Sequence, residues 1–297
     1  MDESETPNAY PAPRQTFCYE PLHRTPHTHF RLLRILPDRK DGLLQLQLWH
    51  SAQSVEYRCL SYMWGSLSDE HDILLNGRIF RVRNNLYTFL EYASQQLAEA
   101  SLWIDAICIN QHHDEEKAAE VSRMHEVYTG AQEILIWLGD LVMSDHAVRW
   151  LRSGTGNMAT SLVKKQLLTF YGHGYWNRTW ITQEILLARK ITILVGSHVL
   201  DWNDVPGPGA LAWEETKAAA DMVVYLHYTW YMFHKDSQQR RSEATNDSTN
   251  EYTPFRFWDL LKRRHMSPCT DHRDRIYGLL ALVKDEAGSF PISYHDK

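Results

Sequence analysis

The chain has 297 residues and a mass of 34.8 kDa, enough to bury a sizeable core in one large domain or in one domain with an appendage. Its formal net charge of -6, with Lys and Arg scattered apart from Lys262-Arg263-Arg264, argues against a nucleic-acid surface, which is normally basic. The N-terminus is acidic and polar, unlike a secretory signal, and the late apolar run Met222 to Phe233 is too short and His-interrupted to span a bilayer, so a soluble cytoplasmic protein is expected.

Residues 1–29 read as a polar, Pro-punctuated arm with little rigidity of its own. His23, His27 and His29 within it lack carboxylate or thiol neighbours, so no metal site is expected there or elsewhere. Arg31 to Leu36 and Leu44 to Trp49 flank a Gly-ended turn and predict a β-hairpin. Tyr57 to Gly65 predicts another strand. Ile73-Leu74-Leu75 and Ile79 to Val82 frame Asn76-Gly77, the signal of a tight hairpin. Asn84 or Asn85 then caps a helix carrying Leu86, Phe89, Leu90, Ala93 and Leu97 on one face.

The stretch from Ser101 to Gly139 organises the rest. Leu102 to Gln111 reads as a buried strand with one carboxylate, Asp105, inside it and an Asn110-Gln111 pair at its end. Asp114, Glu115 and Glu116 suit a helix N-terminus. Apolar residues then recur at helical spacing to Ala131, and Glu133 to Gly139 reads as a second buried strand. Strand, helix, strand at this length is a βαβ unit, and such units bind ligands beyond the carboxyl ends of their strands.

Two further helical patterns follow, from His146 and from Leu162 to Tyr171. Trp176, Trp180, Glu184 and Ala188 would then share one stripe at i, i+4 spacing if 175–188 is helical. Lys190 to Val195 reads as a core strand. Residues 206–234 read as a helical extension, 235–254 as a polar loop or disordered insertion, and 255–297 as a C-terminal helical segment. The core domain is expected over 30–205. The four cysteines lie far apart and read as free thiols of a reducing compartment.

Glu184 is the sharpest candidate for chemistry, because a carboxylate set in an apolar stripe has either a raised pKa or a buried charged partner. Its competing reading is an ion pair with Arg178 or Arg189, or simple solvent exposure. Asp105 reads either as a ligand contact at a strand end or as a buried acid capping a turn. Ser61 and Tyr62 close a core strand and could serve ligand or packing. No Gly-x-Gly-x-x-Gly, phosphate-binding loop, Gly-x-Ser-x-Gly or His-Glu-x-x-His occurs, and no cofactor is expected.

Several blocks resemble the heterokaryon-incompatibility (HET) domain of filamentous fungi. They are Leu60-Ser61-Tyr62-Met63-Trp64-Gly65; Leu102 to Gln111 with Glu116, Val121, Met124 and Tyr128; Trp137-Leu138-Gly139; and Arg178-x-Trp180-x-x-Gln183-Glu184. Asp271-x-Arg273-Asp274-x-Ile276-Tyr277 resembles a segment that often follows the domain. His113 and Glu120 depart from the family's usual residues. The resemblance implies a part in programmed cell death triggered by non-self recognition, with an allorecognition or signalling partner and homo-oligomeric assembly. It also implies a likeness to TIR domains, hence an α/β fold with a flavodoxin-like, mostly parallel sheet. Some TIR-like domains hydrolyse NAD. Carried over, Glu184 would be catalytic, with Ser61, Tyr62, Trp64, Asp105, Asn110, Gln111 and Trp180 lining the cleft and NAD as substrate. A purely assembling, non-enzymatic module is the alternative.

Overall fold

The computed structural model describes residues 15–22, 30–51, 55–153, 161–205, 214–243, 260–262, 269, 271–280, 282 and 292–294. Strands β1 (Phe30–Ile35) and β2 (Gln45–Ser51) form the first hairpin, with Leu33 opposite Leu48. Strand β3 (Arg58–Tyr62) follows, then the hairpin of β4 (Glu70–Leu75) and β5 (Arg78–Arg83). That hairpin turns on Asn76 and Gly77 at φ of 51° and 77°, the left-handed pair an Asn-Gly type I′ turn demands. Helix α1 (Asn84–Gln96) leads to β6 (Leu102–Trp103) and three short helices, α2 (Asp105–Cys108), α3 (Asp114–Ser122) and α4 (Met124–Gly130). Strand β7 (Glu133–Trp137) precedes α5 (Asp145–Ser153), α6 (Ser161–Tyr171) and α7 (Ile181–Leu186). Strands β8 (Ile191–Val195) and β9 (His198–Asp201), then α8 (Glu214–Glu243) and α9 (Asp274–Leu280), complete the described elements.

The fold is α/β. All nine strands join one sheet in the order β5-β4-β2-β1-β6-β3-β7-β8-β9. The block β6-β3-β7-β8 is parallel throughout, and antiparallel pairs β1–β6 and β8–β9 bound it. Every residue of β7 is buried, as expected of a central strand covered by helices on both faces. Taken in chain order, the four parallel strands lie second, first, third, fourth, so the winding reverses beside β3. In open α/β sheets that reversal marks the crevice at the strands' carboxyl ends. Ser61 and Tyr62 end β3 there, and Asp105 follows the end of β6.

Several expectations are corrected. Leu102 to Gln111 is not one strand: after two β residues the chain turns into α2, where the Asp105 carboxylate accepts its neighbour Ala106 N–H at 2.7 Å and Ile107 and Cys108 are buried from a helical turn. The helical pattern after Asp114 is split at Arg123, whose φ of -109° and ψ of 3° separate α3 from α4. The stripe through Trp176 and Glu184 is also split. Gly174–Asn177 is a 3-10 turn, Arg178 is extended at ψ 137°, and Glu184 belongs to the six-residue α7.

Neither asparagine caps α1; the cap is Arg83, which makes no side-chain capping bond. Asn85 instead ties two parallel strands together beyond their ends, donating to Met63 O at 2.6 Å and accepting from Trp137 Nε1 at 3.1 Å. Asn85→Ala should therefore cost about 1–3 kcal/mol in urea unfolding, since it orphans a largely buried indole N–H. A change below about 0.5 kcal/mol would count against that role. Part of the N-terminal arm is docked: Thr16 bridges to Ile79, Phe17, Tyr19 and Phe80 pack edge to face, and Tyr19 donates to Ile107 O at 2.9 Å. Helix α8 continues to Glu243, into the polar stretch read as a loop. His23, His27 and His29 lie outside the described residues, among which no group of residues suits a metal ion.

Candidate functional site

The carboxyl ends of β3 and β6 and the start of α7 bring two carboxylates and one guanidinium into a single polar cluster. Glu184 is buried, at 2% exposure, and accepts a short hydrogen bond from the Ser61 hydroxyl. The Ser61 oxygen lies 2.6 Å from the Tyr175 hydroxyl, and the Tyr128 hydroxyl also bonds Glu184. Arg178 Nη2 stands 3.9 Å from Glu184 Oε1, an ion-pair distance longer than a hydrogen bond. Asp105, half-buried, accepts from Trp64 Nε1 at 2.7 Å through one oxygen and from Ala106 N–H through the other, with the Tyr62 hydroxyl as a further donor.

Electrostatics follow from this burial. Desolvation pushes the Glu184 carboxyl above the usual carboxylate range, and the Asp105 charge adds to it, while Arg178 and the Ser61 hydroxyl pull the other way without winning. Asp105 is raised for the same first reason, against Arg178 and Trp64. Desolvation alone would weaken the charge of Arg178, but attraction by Glu184 and Asp105 reverses that and holds the guanidinium charged. One cation is thus shared between two acids, each reluctant to ionise. Perturbed acids paired in this way, at the ends of parallel strands, are a frequent mark of a working site.

Of the residues expected to line the cleft, Glu184, Ser61, Tyr62, Trp64 and Asp105 join this network. Gln111 touches its edge, donating to Asp105 O at 3.0 Å. Asn110 is engaged in its own loop: its N–H donates to Glu116 at 2.9 Å and its side chain accepts from His112 N–H at 3.3 Å. Trp180 supplies its carbonyl to Glu184 N–H at 3.1 Å, but its ring packs on Gly278 of α9 and its indole bonds Asp274. Tyr128, quoted only within a matching block, and Tyr175 were not site residues in the sequence reading, because tyrosines within apolar runs read as core. Arg178 entered it only as a salt-bridge partner. Its two-residue spacing from Trp180, within the same block as Glu184, was the available signal.

Two surface depressions of about 440 and 460 Å³ lie elsewhere, one around His71, Asp72 and Arg81, the other around Tyr87, Tyr92 and Trp137. Neither is lined by Ser61, Asp105 or Glu184. No helix among the described residues is long and apolar enough to cross a membrane.

Residues 57–184 match the family model described as heterokaryon incompatibility protein (HET). A curated relative, heterokaryon incompatibility protein 6, OR allele, of Neurospora crassa, is 30% identical over 182 residues, covering 56% of this chain and 26% of that protein. The chain thus spans about a quarter of the length of the relative it matches. No solved structure matches. The matched segment opens at the residue before β3 and closes on Glu184 itself, so the region of this chain that holds every member of the polar cluster is the region similar to the HET family.

Proposed function

We propose that this protein acts in heterokaryon incompatibility, as an effector of the death response to non-self, and that its HET domain cleaves the N-glycosidic bond of NAD or a related nucleotide. The observation that supports this reading is the desolvated Glu184 carboxylate, held by Ser61 with Arg178 and Asp105 beside it at the strand ends. Breaking the ribosyl C–N bond sends its electron pair to the departing nicotinamide nitrogen and leaves positive charge on the sugar. A fixed carboxylate beside that charge stabilises it far more in a dry site than in water. Water then adds to the anomeric carbon and loses a proton. In this reading assembly of several copies opens the crevice, and a recognition partner controls that assembly.

A second reading, a non-enzymatic module that signals by oligomerising, is favoured by one observation: Glu184 and Ser61 are at most 2% exposed. The discriminating experiment incubates concentrated or crowded protein with NAD and follows free nicotinamide. Release by the wild type and none by Glu184→Ala is the expected result. No consumption at any concentration, or an alanine variant that kills cells as well as the wild type, overturns the enzymatic reading.

A further inference from the structure

Arg178 is bonded unlike the buried Arg31. Arg31 is 1% exposed and grips Glu116 with both terminal nitrogens, at 2.6 and 3.1 Å, while two carbonyls take its remaining reach. Arg178 has two carboxylates for neighbours and makes no such fork with Glu184. Both carboxylates have other donors: Ser61 and Tyr128 on Glu184, and Trp64, Ala106 and Tyr62 on Asp105. Its Nη1 is buried and has no hydrogen-bond partner. Buried donors are nearly always paired, because leaving one bare forfeits its bonds to water. The side chain as a whole keeps 19% exposure, although Nη1 itself is buried.

We propose that the free Nη1 of Arg178 is a ligand donor that seats an uncharged acceptor oxygen, and that the ligand group it seats is neutral or cationic rather than anionic. The cluster already holds two acids against one guanidinium, so it carries no surplus of positive charge to attract a phosphate or carboxylate. A neutral oxygen completes the bonding of Nη1 without adding negative charge, and a cationic ring matches the acidic surplus. Resting on the glycoside-cleaving reading above, the group would be the amide oxygen of an N-glycosyl pyridine carboxamide. Arg178 then grips the leaving base while Glu184 faces the sugar.

The test is fragment binding, with no turnover required. Nicotinamide, pyridine and nicotinate are titrated into the whole chain, with affinities read by protein NMR shifts. The wild type should prefer nicotinamide to both others by about tenfold or more, the scale of one hydrogen bond from a charged donor. Arg178→Met should erase the preference over pyridine. Equal affinities, tightest binding of nicotinate, or no binding at millimolar concentration overturns the proposal and leaves Nη1 to an ordered water. Should the Met variant fail to fold, the three-compound comparison on the wild type still decides. The two readings fail separately: nicotinamide bound through Arg178 with NAD left intact sinks the hydrolysis alone. NAD cleaved by a protein whose Met variant keeps the preference sinks the Arg178 role alone.

Discussion

Glu116→Ala is expected to lower the stability of the domain by about 3–5 kcal/mol, the cost of stranding a buried charge by removing its partner. The stranded charge is Arg31, on β1, whose guanidinium has no route to water in the folded protein. Glu116 lies on α3, and besides the bidentate pair it accepts Asn110 N–H, so its loss orphans a backbone donor as well. Equilibrium urea unfolding measures the effect; a loss below about 1 kcal/mol would show that water reaches Arg31. Replacing both partners by apolar residues of similar volume should recover most of the loss, because the pair's desolvation penalty leaves with it. The pH sign follows from Glu116 itself. Burial alone would raise its pKa, but Arg31 and the Asn110 N–H outweigh burial and hold it below the usual value. Its stabilising contribution is therefore complete above the unfolded carboxylate value and drains away as pH falls through the lowered one. This pair also fixes the Asn110–Glu116 loop that follows Asp105 and draws in the backbone of Glu20, so acid should loosen the arm and the site's rim together.

Local sequence patterns carried the outer parts of the fold well. Alternation in β1 and β2, the Asn76-Gly77 turn and the apolar face of α1 are short-range signals, and each element stands where its residues predict. What sequence could not supply was where a buried run stops being β. Leu102 to Gln111 is apolar enough for a strand along its whole length, and only the tertiary arrangement turns it at Ile104 into α2. The same limit split the Trp176 to Ala188 stripe. Nothing in its spacing announces the extended Arg178, yet that break is what turns a surface-helix arginine into a member of the site. Carboxylates were legible because an acid in an apolar context is an anomaly. Tyr128 and Tyr175 were not, since a buried hydroxyl declares its partner only in three dimensions. The roles of Asn84 and Asn85 were misread for a related reason: a good capping residue is equally good at bonding a distant carbonyl, and Asn85 bonds one 22 residues earlier in the chain.

Glu184→Gln should separate function from stability. A carboxylate kept only for structure is one whose removal weakens the fold. Glu184 shows the reverse balance, for its neighbours fail to offset the desolvation of its charge and folding raises its pKa. A group raised in the folded state binds more protons there than in the unfolded chain. Its contribution is therefore favourable below the unfolded carboxylate value and is lost as pH rises through the raised one. The glutamine is neutral at every pH, keeps the shape and still accepts from Ser61. At neutral pH the variant should unfold at the same temperature as the wild type or a higher one, and that advantage should shrink as pH falls toward the ordinary glutamate range. Its rate of NAD cleavage should drop by about a hundred- to ten-thousandfold, the range for losing a positioned charge or proton-transfer group in a dry site. Thermal unfolding across pH, set beside nicotinamide release, gives both readouts from one preparation. A variant that is markedly destabilised at pH 7 while its activity is intact would make Glu184 a structural acid, and the polar cluster a device for fixing α7 to the ends of the sheet.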